Sequence, residues 1–173
     1  ADDFAPLPRD NLWLAAMALL SEAALSLELP DHAMALYRKL EPFAGRNVVL
    51  PTVGFLGPVE LWLGILAGVA GRDADALGWF AAATQRATRD GARLSATRTA
   101  IGEAAVLLRD GGPAARTRAE ALLTSAASDA EQMGLPWLGQ QVETLRAQLT
   151  GPAARTAASG LASDPGVAEL RRI

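Results

Sequence analysis

Three stretches of the chain carry one short apolar pattern at a constant interval. Ala33, Leu36, Tyr37 and Leu40 are followed 43 residues later by Ala76, Trp79, Phe80 and Ala83, and after another 43 by Ala119, Leu122, Leu123 and Ala126. Within each set the spacing is i, i+3, i+4, i+7, which gathers the four side chains on one face of an α-helix. A unit of this kind cannot bury its face alone, so the interval predicts the same helical unit stacked three times, an arrangement suited to binding.

The 173 residues allow one domain with a substantial core, but not two well-packed domains with separate activities. Half of the residues are hydrophobic, yet only 5% are aromatic and much of the rest is alanine, which favours helix and close helix packing. The stretch Val48–Val49 is too short to found a sheet, so the expected class is all-α.

Punctuation along the chain divides it further. Residues 1–9 hold two prolines and no periodicity, and read as an N-terminal extension. Asp10 can cap a helix running to about Leu29, with Leu12, Ala16, Leu19, Leu20, Ala23 and Leu27 as its buried stripe, and Asp31 can cap a second to about Phe43. A second hairpin runs from Pro58 through a turn at Gly71-Arg72-Asp73 to Asp90-Gly91, and a third from Arg93 through Asp110-Gly111-Gly112-Pro113 to Gly134. Gly91 and Gly134 are again 43 apart, which makes the helix at Pro136–Leu149 the first half of a fourth unit, capping the stack. The repeat domain therefore spans 10–149. Residues 150–173 turn to Pro, Ala, Ser, Thr and Gly and read as a linker or weakly ordered tail, with a short helix expected at Val167–Arg172. The connection Ala44–Gly57 is long for a helical array, and its apolar Val48–Leu56 stretch can cover the open ends of the first two hairpins or shape a binding face.

Composition excludes several function classes. With no Cys there is neither a disulfide framework nor thiolate chemistry, and a reducing cytoplasm fits best. The start Ala1-Asp2-Asp3 is unlike a signal peptide, the run Leu12–Leu20 is roughly half the length a bilayer span needs, and the Val59–Ala70 run contains Glu60, so no membrane partner is expected. A net charge of −3 argues against nucleic acid as a direct partner, although seven arginines lie between Arg86 and Arg118 against Asp90, Glu103 and Asp110. The only histidine, His32, stands at a helix start, so no His-based metal site or catalytic relay can form, and no phosphate-cradling motif is present. Asp73 and Asp75 fit helix-start roles. No cofactor and no enzymatic activity are expected. Two features could face a ligand: Trp62, with Leu61 and Ile65 beside it, and Glu103 on a mostly apolar helix, although packing for the tryptophan and exposure for the carboxylate are the simpler readings.

The second unit is similar to the tetratricopeptide repeat, with Leu63-Gly64 on its first helix and Ala76, Phe80 and Ala83 on its second. The first unit departs from that pattern with Leu20-Ser21 and Tyr37, the third has Leu123 for the aromatic, and Thr88 stands where the repeat has its terminal Pro. The resemblance implies a tetratricopeptide-like stack, an α-solenoid of about three hairpins plus a capping helix. It also implies a groove lined by the first helix of each hairpin, which here means Glu22, Leu61, Ile65 and Arg98.

A longer stretch, about Leu36–Met133, includes Pro42-Phe43-Ala44-Gly45-Arg46-Asn47-Val48-Val49, Leu56-Gly57-Pro58-Val59 and Gly91-Ala92-Arg93. It resembles the C-terminal helical-repeat region of large actinobacterial signalling proteins, namely LuxR-type transcriptional regulators and nucleotide cyclases that carry an ATPase module. That resemblance implies a repeat sensor attached to a nucleotide-binding switch, with DNA binding or catalysis on other domains, and the start at Ala1 without Met suits an excised piece of such a protein. The expected function is then non-catalytic binding of a protein segment, or of flanking domains of the same polypeptide, in the concave groove. The alternative is a small-molecule sensor in which Val48–Leu56 folds over an apolar cavity and Trp62 or Trp79 reports its occupancy. The last half-unit leaves an apolar flank that a homodimer could cover.

Overall fold

The computed structural model describes residues 9–52 and 54–150. The expected N-terminal extension and the tail after Thr150, with its short helix, lie outside them apart from Arg9 and Thr150 themselves. Seven helices make up most of the described chain: α1 (Trp13–Ser26), α2 (Pro30–Leu40), α3 (Val59–Val69), α4 (Asp73–Arg89), α5 (Arg93–Asp110), α6 (Pro113–Met133) and α7 (Pro136–Thr150). Each packs on the next, and the odd-numbered helices also touch in series, α1 on α3, α3 on α5 and α5 on α7. The even-numbered helices have at most marginal contact with one another among the described residues. The odd-numbered layer is thus the continuous one.

The apolar pattern that repeats every 43 residues is the inner face of α2, α4 and α6. Ala33, Leu36, Tyr37 and Leu40 are all buried, as are Ala76, Phe80 and Ala83, and Ala119, Leu123 and Ala126, while Trp79 and Leu122 are half-buried at the margin. Gly91 and Gly134 hold φ of 63° and 66°, the left-handed geometry that ends a helix and that glycine adopts without strain. One core cluster unites α1–α4 with Val106, and a second unites α5–α7.

Three expectations need correction. The connection Ala44–Gly57, where the short Val48–Val49 stretch predicts no sheet, contains a small antiparallel one, β1 (Asn47–Leu50) paired with β2 (Gly54–Pro58), within a chain that is mostly helical, as the all-α class expects. The pairing steps from Val48↔Gly57 to Val49↔Phe55, leaving Leu56 as a bulge whose carbonyl accepts the Trp62 indole N–H at 3.2 Å. Val48 is buried, whereas Val49 and Phe55 face outward.

The buried face of α1 also differs from the predicted stripe. Trp13, Ala15, Met17, Ala18, Ser21 and Ala24 point inward, whereas Leu12, Leu19 and Leu27 are exposed, Leu19 at 60%. The helix is apolar almost all round, and close approach to its neighbours favours the face with the small side chains. It ends early, at Ser26, because Glu28 takes a φ of 51° and Leu29 N–H closes back on the Ala24 carbonyl.

The third correction concerns the caps. Asp10 accepts the Leu12 N–H in a turn ahead of α1, and Asp31 lies inside the first turn of α2, which opens on Pro30 without a side-chain cap.

Tyr37 ties the first two hairpins together. Its hydroxyl donates to the Glu41 carboxylate at 3.2 Å and accepts from Trp79 Nε1 at 2.9 Å, with the Arg72 guanidinium 5.0 Å above the ring. Burial pushes the phenol above its ordinary value, outweighing the opposite effect of the Trp79 bond. A pKa raised on folding contributes stability that is intact below the unfolded value, about 10, and is lost as pH rises through the folded one. Because Tyr37 is the only tyrosine, tyrosinate absorbance titrates it alone. The midpoint should lie above about 10 in the native protein and return to that value in denaturant; coincident midpoints would show the ring to be hydrated.

Candidate functional site

The odd-numbered layer encloses a half-open hollow of about 290 Å³, to which α1, α3, α5 and α7 each contribute. α3 is its spine. Every residue from Val59 to Gly68 is buried, because α3 has α1 and α5 on either side and α2, α4 and the β-hairpin around the rest. Gly64 of α3 and Gly102 of α5 leave the space into which Phe80 reaches from α4, and that ring forms part of the floor. Ile65, Val69, Ile101, Ala105 and Val106 make the apolar surface, with Leu25 and Leu145 closing its flanks.

The rim is polar. Arg98 of α5 bonds to Glu22 of α1 across 76 residues of sequence. Its guanidinium lies 4.8 Å above the Trp62 ring, a cation–π contact that strengthens as water is removed. Burial lowers the guanidinium pKa from its ordinary value, though it stays charged at neutral pH. Arg109, at the other end of α5, donates to Asp73 at 2.6 Å with both groups near half exposure. Gln141 and Thr144 of α7 complete the rim.

Of the residues singled out by sequence, Glu22, Ile65 and Arg98 come together on this hollow. Leu61 does not: it is fully buried beneath β2, where the hairpin covers the first turn of α3, and Gly57 leaves room for its side chain. Trp62 is 2% exposed and supports Arg98 from below. Glu103, expected on an exposed polar face, is buried and pairs with Arg118 of α6, because α5 is packed between neighbours on both sides. Residues missed in the sequence follow from helical spacing: from Arg98, steps of three or four reach Ile101, Gly102, Ala105 and Arg109. From Glu22 and Ile65, the same step reaches Leu25 and Val69.

Glu60, read in the sequence only as a charge within an apolar run, has a specific role in the structure. Its carboxylate accepts the Gly45 N–H at 2.8 Å, while Arg86 donates to the Gly45 carbonyl at 2.7 Å, so the two side chains hold Gly45 through both of its peptide groups just ahead of β1.

Among the described residues, no three His, Cys, Asp or Glu side chains group as a metal ion would require, and no helix is long and apolar enough to cross a membrane. Comparison of the chain with family models, with curated proteins and with solved structures finds no match in any of the three.

Proposed function

We propose that this chain is a non-catalytic, tetratricopeptide-like helical-repeat domain that docks a protein segment, or a flanking part of its own polypeptide, in the groove on its odd-numbered layer. The setting we propose is a cytoplasmic bacterial signalling or transcriptional regulator, where occupancy of the groove biases an attached switch. One observation carries the reading: four helices in series leave a half-open apolar hollow with a charged rim, the form that accepts the anchoring side chains of an amphipathic helix. Its 290 Å³ suits one or two such anchors.

Ala105 tests the groove because it is half-buried on the hollow's wall, so Ala105→Phe fills the space without displacing the core. Labelled amphipathic peptides of about 15 residues, with Leu at i, i+3, i+4 and i+7, are titrated by fluorescence anisotropy. Binding to the native chain should fall by at least about tenfold in Ala105→Phe, with the helical circular dichroism unchanged. Equal binding by both proteins would remove the groove as the docking site. The enclosed apolar floor also favours a second reading, a small apolar ligand. In that case the peptides fail to bind, and a small apolar probe is excluded by Ala105→Phe.

A further inference from the structure

We infer that the groove selects a protein segment carrying a carboxylate beside its apolar anchors, and that Glu22 holds the place on Arg98 which that carboxylate takes. The inference rests on the docking reading above and specifies the partner's chemistry.

Two guanidinium groups and one carboxylate line the hollow, so its lining is cationic in a chain whose net charge is −3. The cations sit at its two ends. Arg98 and Arg109 are eleven residues apart on α5, three turns, which places them about 16 Å apart along the axis. Between them the surface is apolar. A short amphipathic segment lying along α5 therefore meets a cation at each end and side-chain sockets in the middle.

The two partners in the Glu22–Arg98 pair are held differently. Arg98 is fixed: its side chain is 18% exposed, and the face of its guanidinium rests on the Trp62 ring. A guanidinium so placed has lost much of its hydration. Glu22 is freer, with 37% of its side chain exposed on the last turns of α1, and its carboxylate can return to water. Arg98 has five N–H donors, gives one of them to Glu22, and lines the hollow. An incoming carboxylate can make the two parallel bonds that the guanidinium fork favours. Apart from this pair α1 and α5 barely meet among the described residues, so exchanging Glu22 for a ligand carboxylate also releases a clasp between the first and third hairpins. At the far end, Arg109 is paired with Asp73, which lies outside the hollow, and stays half exposed, available to a second acidic group.

The test uses three forms of one labelled amphipathic peptide, identical in their leucines, with Glu, Gln or Lys at the flanking positions. On the native chain the Glu peptide should bind at least about tenfold tighter than the Gln peptide, and the Lys peptide should bind weakest. Glu22→Gln should tighten the Glu peptide several-fold, because the competing carboxylate is gone, and leave the Gln peptide unchanged. Arg98→Gln, checked for native circular dichroism, should reduce the preference for Glu to the part that Arg109 alone supplies. Equal binding of the Glu and Gln peptides, both lost in Ala105→Phe, would overturn the inference while leaving the groove intact. Weaker binding of the Glu peptide to Glu22→Gln would overturn it too, since Glu22 would then assist rather than compete. Failure of all three peptides to bind would remove the docking reading and the inference together. Binding of decanoate, a free apolar carboxylate, without binding of any peptide would overturn the protein segment as the source of the carboxylate.

Discussion

Phe80→Ala is expected to lower the unfolding free energy by about 3–5 kcal/mol, a large share of the roughly 5–15 kcal/mol that a domain of ordinary stability has. The ring is 1% exposed and enters from α4 between two helices of the other layer. A Cβ built on Gly64 would lie 2.6 Å from Phe80 Cε1, and one built on Gly102 would lie 2.6 Å from its Cζ. Both distances are shorter than real contacts, so the two glycines are the socket and the ring is its plug. Removing the ring loses its burial and leaves a cavity that rigid helices on both sides cannot collapse to fill, which places the cost in the upper part of the range for core truncations. It would also open the floor of the groove from below. The same geometry makes Gly64→Ala destabilising, even though alanine in a helix interior is favoured over glycine by about 1 kcal/mol. The coupling is specific: Gly64→Ala should be far better tolerated in a Phe80→Leu background, so that the double-mutant cycle is strongly non-additive. Denaturant titration followed by circular dichroism measures the native chain, Phe80→Ala and the three variants of the cycle. A loss below about 1 kcal/mol for Phe80→Ala, or an additive cycle, would show that the ring is not seated against the glycines.

The helices were legible where local chemistry decides the matter. Gly71-Arg72-Asp73 and Asp110-Gly111-Gly112-Pro113 combine a left-handed glycine with a helix opener, and the helices stop and start there within a residue or two. The inner faces of α2, α4 and α6 were legible because each alternates apolar and polar residues around its circumference. α1 lacks that contrast. With Leu, Ala, Met and Trp on nearly every side, periodicity cannot choose a face, and the choice falls to neighbours that appear only in three dimensions. The β-hairpin was illegible for a related reason: its strands are four and five residues long and interrupted by a bulge, too short to show alternation. What holds it comes from elsewhere, from Glu60, Arg86 and the Trp62 indole.

The groove divides along the same line. Glu22, Ile65 and Arg98, reached by equating positions between hairpins, line one hollow. Leu61 stands one helical turn before Ile65 and shares its side of α3, yet β2 lies over that turn and removes it from the groove. Glu103 failed differently. A carboxylate on an apolar helix reads as exposed when only that helix is considered, but Arg118 on α6 supplies a charge that makes burial tolerable.

Glu60→Ala is expected to cost about 2–4 kcal/mol and to loosen the hairpin more than the helices. The carboxylate is 5% exposed at the first turn of α3, where the helix dipole favours a negative charge. One oxygen accepts the Gly45 N–H, and the other lies 3.6 Å from Arg86 Nε, a charge contact too long for a hydrogen bond. Arg86 meanwhile donates to the Gly45 carbonyl and reaches Asn47 Oδ1 at 3.4 Å. Glu60 therefore does two things: it satisfies an amide, and it balances a guanidinium whose side chain is only 20% exposed. Deleting it leaves both unanswered, and the remaining access of Arg86 to water keeps the cost below that of a fully enclosed pair. Hydrogen exchange should show lost protection in 45–50 and 54–58 while α5–α7 keep theirs, since those helices belong to a separate core cluster. Replacing both members, Glu60→Leu with Arg86→Met, should recover part of the loss because no charge is then stranded. If the double variant instead loses the sum of the two single effects, the side chains act independently and the clamp on Gly45 is not a coupled device. Because β2 covers Leu61 and its Leu56 carbonyl accepts from Trp62, a coupled clamp extends further, to the ring on which Arg98 rests.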